Sequence, residues 1–329
     1  NNSICTPSRA SILTGQYPQT SGVRDIDDLL DPSKQYLPQE IKKAGYETAI
    51  VGKWHLSMAP ESFDYYCVLP GQGRYENPIL YTNDGTGTPT DIRFQGNTRA
   101  TVPILEFEGH STDVITDIAL KWFREGRKTQ QPFFMMLHYK APHDMFTYAE
   151  RYHDYLEDVE IPEPDNMYEQ PASGFGSIGT RGENDSLIHL IGSSVSKRMV
   201  HRNMGKHMEV DPLLSDRDYT HQAYQRYVKK FLRCVKGVDD NLKRLFGYLE
   251  KTGQMDNTVI IYTGDQGFML GEHDYMDKRW MYEESMRMPW LIRYPKAVPA
   301  GVRTDAIIEN VDYGPTMLAF AGARTPGYM

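Results

Sequence analysis

The run from Tyr36 to Gly52 restricts the fold more than any other stretch. Leu37, Ile41 and Ala44 recur at helical spacing, and Gly45 stops the helix. Tyr46-Glu47-Thr48-Ala49-Ile50-Val51-Gly52 then reads as a short buried strand. A helix that feeds a buried strand is the unit from which α/β sheets are built. Two more strands are expected, at Phe133–Tyr139 and Asn257–Thr263. Amphipathic helices are expected over Asp113–Arg124, with Val114, Ile118 and Trp122 on one stripe, and over Tyr224–Gly247. A short capped helix follows from Val311. With 329 residues the chain can bury a substantial core, as one large domain or two smaller ones.

Each of the three strands runs into polar residues, and α/β sites sit at the carboxyl ends of strands. Lys53 and His55 follow the first and, two apart on an extended segment, face the same side. His138-Tyr139-Lys140-Ala141-Pro142-His143 closes the second; His143 reads as functional by position and His138 as structural. Gly264-Asp265-Gln266-Gly267 follows the third, and an Asp beside an amide oxygen is half of a hard-cation site. At the start of the chain, Pro7 sits where a helix begins and Gly15 just past its end. Cys5 is therefore expected at a helix N-terminus, where free N–H groups favour an anion, with Arg9 one turn along on the same face. A nucleophile, an anion site and a bidentate cation converge there, which suits a sulfate or phosphate ester. Cysteine-dependent phosphatases need a wider gap than the three residues between Cys5 and Arg9.

Composition narrows the partners. A net charge of −8 argues against nucleic acid or an anionic membrane, and requires an anion-binding site to be locally basic. Three cysteines are too few for a disulfide framework, and Cys67 and Cys234 read as buried thiols. No apolar run is long enough to span a bilayer. Residues 60–110 read as loops and short β segments with a hairpin at Asn83-Asp84-Gly85, and 144–220 as a loop-rich insertion that includes a Gly-rich patch at Gly174–Gly182. His153, His189, His201, His207 and His221 show no metal-ligand spacing, and Asp239-Asp240 diverge on a helix as a solvated face.

The string Cys5-x-Pro7-Ser8-Arg9 with Leu13-Thr14-Gly15 resembles the formylglycine-dependent (type I) sulfatase signature. Gly52-Lys53-Trp54-His55 and Gly264-Asp265-Gln266-Gly267 resemble the second and third motifs of that family. The resemblance implies an alkaline-phosphatase-like α/β fold with a mostly parallel central sheet flanked by helices, spanning residues 1–329 as one catalytic domain. It implies that Cys5 is oxidised to formylglycine by a formylglycine-generating or anaerobic sulfatase-maturing enzyme. By the same resemblance, Cys5, Asp265 and Gln266 hold one calcium ion, Gln266 standing where Asn is commoner. Arg9, Lys53, Lys140 and Lys278 would bind sulfate oxygens, His143 would protonate the leaving alcohol and His55 would regenerate the aldehyde. A periplasmic or secreted location is implied as well.

Two parts of the family pattern have no counterpart. No strand bearing paired metal-binding aspartates precedes Cys5, Asp27-Asp28 lacking the apolar run, and no C-terminal subdomain follows Met329. The chain thus reads as an internal stretch of a longer sulfatase, expected by itself to bind metal weakly and to be inactive. Asp265-Gln266-Gly267-Phe268 with Gly271-Glu272-His273 and Tyr282-Glu283-Glu284-Ser285 resembles bacterial carbohydrate sulfatases acting on N-acetylglucosamine-6-sulfate, with His273 and Asp274 expected at sugar hydroxyls. The rival readings are a phosphate or phosphonate monoesterase of the same superfamily and an inactive homologue that binds sulfated glycans.

Overall fold

The computed structural model describes residues 3–93, 99–128, 130–168, 193–198 and 200–329. The Gly-rich patch at 174–182 and His189 lie outside these residues. The chain divides into two compact units. One comprises Asn1–His143, Gly237–Asp265 and Met288–Met329; the other comprises Asp144–Lys236 and Gln266–Arg287.

The first unit is built on a six-stranded sheet. Helix α1 (Cys5–Thr14) and α2 (Tyr36–Lys43) lead into β1 (Glu47–Lys53). Then come β2 (Tyr65–Leu69), β3 (Ile79–Thr82), β4 (Thr88–Arg93), β5 (Arg99–Glu106), α3 (Ser111–Lys121) and β6 (Phe133–His138). A π-helical turn at Trp122–Gly126 ends α3 where a regular helix to Arg124 was expected. The long helix α4 (Asp216–Lys251) enters this unit with its C-terminal part. It starts earlier than the apolar pattern suggests because the Ser215 hydroxyl accepts from the Asp218 N–H (3.2 Å) and caps the first turn. A separate antiparallel pair joins β7 (Ile260–Thr263) to β8 (Trp290–Arg293), and α5 (Asn310–Phe320) follows.

The sheet order is β4-β5-β3-β2-β1-β6, and only β2, β1 and β6 run parallel. The sheet is mixed, correcting the expectation of a mostly parallel one. Parallel neighbours need a crossover of about a dozen residues or more. The segment from β2 to β3 has no such helix, and β3 returns antiparallel. The expected hairpin at 83–85 is also absent as a strand pair. The turn itself forms, with Asp84 Oδ1 accepting from the Thr86 N–H (2.8 Å), but β5 pairs with both β3 and β4 and lies between them.

Alternation along β1 explains the two-sided core. Ile50 packs with Val68, Met136, Leu37, Ile41, Leu13 and Leu318 on the face covered by α1, α2 and α5. Ala49 and Val51 point the other way, towards Ile115, Ile118, Trp122 and Leu245 from α3 and α4. At Gly52 (φ 100°) a Cβ atom would lie 2.0 Å from the carbonyl oxygen of His138, so only glycine lets β6 close on β1 here. The register Gly52↔His138 brings the two carboxyl ends to one edge.

In the second unit, the N-terminal part of α4 packs Tyr227 and Phe231 against Phe146, and Phe231 stacks on Phe268. Met269–Leu270 pairs antiparallel with Met276–Asp277, and the Tyr227 hydroxyl donates to the Met269 carbonyl (2.7 Å). Cys5, Cys67 and Cys234 are all buried thiols, in no disulfide.

Candidate active site

Helix α1 presents Cys5 in its first turn, 1% exposed, with Sγ 3.2 Å from Nδ1 of His55. His55 follows β1 in a left-handed conformation (φ 56°), and Thr6 donates to its carbonyl (3.3 Å). Burial pushes its imidazole pKa down to about 3, and the charges of Lys53 and Arg9 push the same way. The ring is therefore neutral, with a lone pair available for a proton.

Arg9 is held on three sides. Its Nε donates to Oδ2 of Asp265 (2.9 Å), and Nη1 donates to the Lys53 carbonyl (2.9 Å) and lies 3.0 Å from Nδ1 of His138. Nδ1 of His138 also lies 3.1 Å from the Lys53 carbonyl, so one ring nitrogen faces both a donor and an acceptor, and the tautomer sets which of the two it bonds. Burial and then Arg9 lower the His138 pKa to about 3. Asp265 is fixed in turn through its own carbonyl, which accepts from Ser8 Oγ and from Nδ2 of Asn310 (3.1 Å).

Lys53 and Lys140 are buried, at 2% and 7% exposure. The Lys140 ammonium donates to the Gln72 carbonyl (3.1 Å) and rests 4.7 Å from the ring centroid of Tyr75. The hydroxyl of Tyr75 donates to the carbonyl of His143 (2.5 Å). Tyr75 therefore orders both Lys140 and the backbone of His143.

The first unit thus brings together Cys5, Arg9, Lys53, His55 and Asp265, with Lys140 and His143 joined through Tyr75. It adds Asn310 and Tyr75, which sequence reasoning missed, Ser8, which the signature contained without a role, and His138, which was read as structural. His138 ends the same strand that singled out His143, so its position was the available signal; no motif marked Tyr75 or Asn310.

Lys278, His273, Asp274 and Gln266 belong to the second unit. Lys278 is 3% exposed, with Nζ 2.8 Å from Oδ1 of Asp277. Burial alone would raise the Asp277 pKa, but Lys278 and Arg202 outweigh it and hold the carboxyl below its ordinary value. His273 stacks on Tyr282 with ring centroids 4.2 Å apart. The expectation that Asp274 meets a sugar hydroxyl is corrected. Its carboxylate is 1% exposed and accepts from Ser194 Oγ, the Val195 and Ser196 N–H groups and Ser196 Oγ, within 3.1 Å. It anchors the 194–196 loop.

For a metal, among the described residues no three His, Cys, Asp or Glu side chains gather as a ligand cluster. Asp265 offers a carboxylate, and Oε1 of the next residue, Gln266, is buried without a hydrogen-bond partner. An orphaned amide oxygen costs about 1–3 kcal/mol, which a hard cation would recover. The donor chemistry fits calcium, and the two side chains supply part of the roughly six to eight oxygens it takes.

A buried cysteine at a helix start lies beside a neutral histidine and a guanidinium clamped at the edge of a parallel strand pair, in an α/β fold of the alkaline-phosphatase-like class. The sulfatase family model matches residues 1–323, and the chain belongs to the sulfatase family. It is 37% identical to an N-acetylglucosamine-6-O-sulfatase of Bacteroides thetaiotaomicron, over 99% of this chain and 60% of that protein. It is 27% identical to the human N-acetylglucosamine-6-sulfatase, over 98% of this chain and 54% of that protein. A solved structure described as a complex with its substrate D-glucosamine-2-N,6-O-disulfate superposes with a TM-score of 0.82 at 34% identity, covering 99% of this chain and 68% of that one. The chain thus spans about 60% or less of the length of these two curated relatives.

Proposed function

We propose that this chain carries the catalytic centre of a carbohydrate sulfatase that cleaves sulfate monoesters from amino sugars, with N-acetylglucosamine-6-sulfate as the leading substrate class. The observation that carries the reading is the approach of Cys5 to His55 beside a guanidinium already locked to Asp265 and the Lys53 carbonyl. The relatives' sugar specificity supports the choice of substrate.

Formylglycine at residue 5 would supply a hydrated aldehyde as nucleophile toward sulfur, and a calcium ion on Asp265 and Gln266 would neutralise sulfate charge. Arg9, Lys53, Lys140 and Lys278 would stabilise the sulfate oxygens in the transition state. His143 would donate a proton to the departing alcohol as general acid. His55, neutral and adjacent to residue 5, would then accept a proton from that side chain. A base held near pKa 3 is weak, but its pKa is lowered partly by Lys53 and Arg9. A bound sulfate offsets those charges and raises the basicity of His55 when it is needed.

His273 remains the proposed sugar contact, stacked on Tyr282 and partly exposed. Among the described residues no helix is long and apolar enough to cross a membrane. A periplasmic or secreted location is supported by the relatives, which include a Caenorhabditis elegans protein named as a homolog of an extracellular sulfatase. The test is sulfate release from 6-, 4-, 3- and 2-sulfated monosaccharides by the protein co-expressed with a maturing enzyme. Release from the 6-sulfated amino sugar, abolished by Cys5→Ala, is expected. Unchanged release in Cys5→Ala would refute the nucleophile.

A further inference from the structure

Lys278, one of the proposed sulfate ligands, is buried in a charge cluster whose other members have no part in the reading above. Asp277 is fully buried and lies within ion-pair distance of three cations: Lys278 (2.8 Å), Nη1 of Arg202 (2.6 Å) and Nε of Arg279 (3.2 Å). The other end of the Arg202 guanidinium, Nη2, pairs with Oδ2 of Asp144. Arg202 is 20% exposed and Asp144 17%.

Two features argue that this is more than a stabilising ion pair. Asp277 and Arg279, on either side of Lys278, both have left-handed backbones (φ 89° and 93°). Such residues cost about 1–3 kcal/mol each and persist only where their surroundings over-determine them. Buried ion pairs, moreover, add little net stability against apolar replacements of similar size, because desolvation offsets the attraction. The residues tied together are also specific. Asp277 precedes Lys278 in the chain, and Asp144 directly follows His143. One guanidinium fork, which holds two carboxylates at fixed angles as an ammonium would not, therefore ties residue 144 to the carboxylate that pairs with Lys278.

We propose that Arg202 is a positioning residue, whose guanidinium bridges Asp144 and Asp277 to fix the Lys278 ammonium. The kinetic part of this inference rests on the sulfatase reading; the structural part does not. Arg202 acts through Lys278, so its effect on turnover should vanish when Lys278 is already gone.

The experiment is a double-mutant cycle with Arg202→Gln and Lys278→Ala in the matured protein, with unfolding temperatures measured alongside. Arg202→Gln is expected to lower kcat at least tenfold on the 6-sulfated amino sugar while KM changes less than threefold. In the Lys278→Ala background the same substitution should change kcat less than threefold. Multiplicative losses, or a kcat unaffected by Arg202→Gln, would overturn the proposal. If Arg202→Gln does not fold, Arg202→Lys, which keeps a charge between the carboxylates, replaces it in the same cycle.

A second readout needs no activity. Lys278 acetylation by acetic anhydride, followed by peptide mass, should be slow in the wild type and at least fivefold faster in the Arg202 variant. An unchanged rate would overturn the clamp whatever the protein hydrolyses. A matured wild type that releases no sulfate, with Lys278 deprotected in the variant, would leave the clamp standing and refute the sulfatase reading.

Discussion

At residue 55 a neutral imidazole faces the nucleophile position among cations, and that environment makes a pH prediction. As the proposed base, His55 would work only when unprotonated, so activity should be lost as pH falls through its pKa. In the free protein that value is about 3, lowered by burial and then by Lys53 and Arg9. The acid limb of kcat/KM reports the free protein, whereas that of kcat reports the bound complex. Bound sulfate opposes the charges of Lys53 and Arg9, so the kcat limb should lie at higher pH than the kcat/KM limb. Profiles from pH 3 to 7 test this; coincident limbs would show that His55 does not sense the sulfate. Sequence motifs identified the five principal side chains around this position. They left His138, whose Nδ1 meets Arg9, as structural, because what a histidine bonds depends on which groups the fold places against it.

At the scale of elements, the site depends on β1 and β6 ending together. Gly52 permits the close approach, and its backbone (φ 100°) is one that an L side chain rarely adopts. Gly52→Ala should destabilise the protein by about 3 kcal/mol or more, from a collision with a main-chain oxygen on top of backbone strain. A denaturation midpoint within error of wild type would show that β6 can slide away. Helix α1, strands β1 and β6 and the C-terminal helix α5 were legible because their periodicity and glycine stops are local properties. The mixed sheet was not legible: an apolar strand reads alike whether its neighbour runs parallel or antiparallel. The placement of β5 between β3 and β4 likewise depends on pairing partners far apart in the chain.

On the scale of the molecule, a chain of net charge −8 concentrates Arg9, Lys53 and Lys140 around one strand edge, as anion binding demands. Asp265 and the unpartnered Gln266 oxygen lead to a prediction for calcium. At a hundredfold excess over its dissociation constant, calcium should raise the unfolding temperature by about 5 °C, since a ligand bound only to the native state stabilises it by mass action. Asp265→Asn should remove most of that increment. An increment equal to that of wild type would place the ion elsewhere.

The sequence alone determined the family: a cysteine and arginine at a helix start, and basic and acidic residues at strand ends, are short-range patterns that survive without coordinates. It also determined that the fold is α/β. Only tertiary structure decided which carboxylate is a contact and which an anchor. Asp274 and Asp277 both precede or flank basic residues in the chain, yet both are buried and bonded within their unit. It also decided that Arg202, some 75 residues from Asp277, closes on it and on Asp144. The physical reason is range: backbone propensity and spacing act over a few residues, whereas the pairing of buried charges is set by the low dielectric and by the partners that folding brings within hydrogen-bond reach.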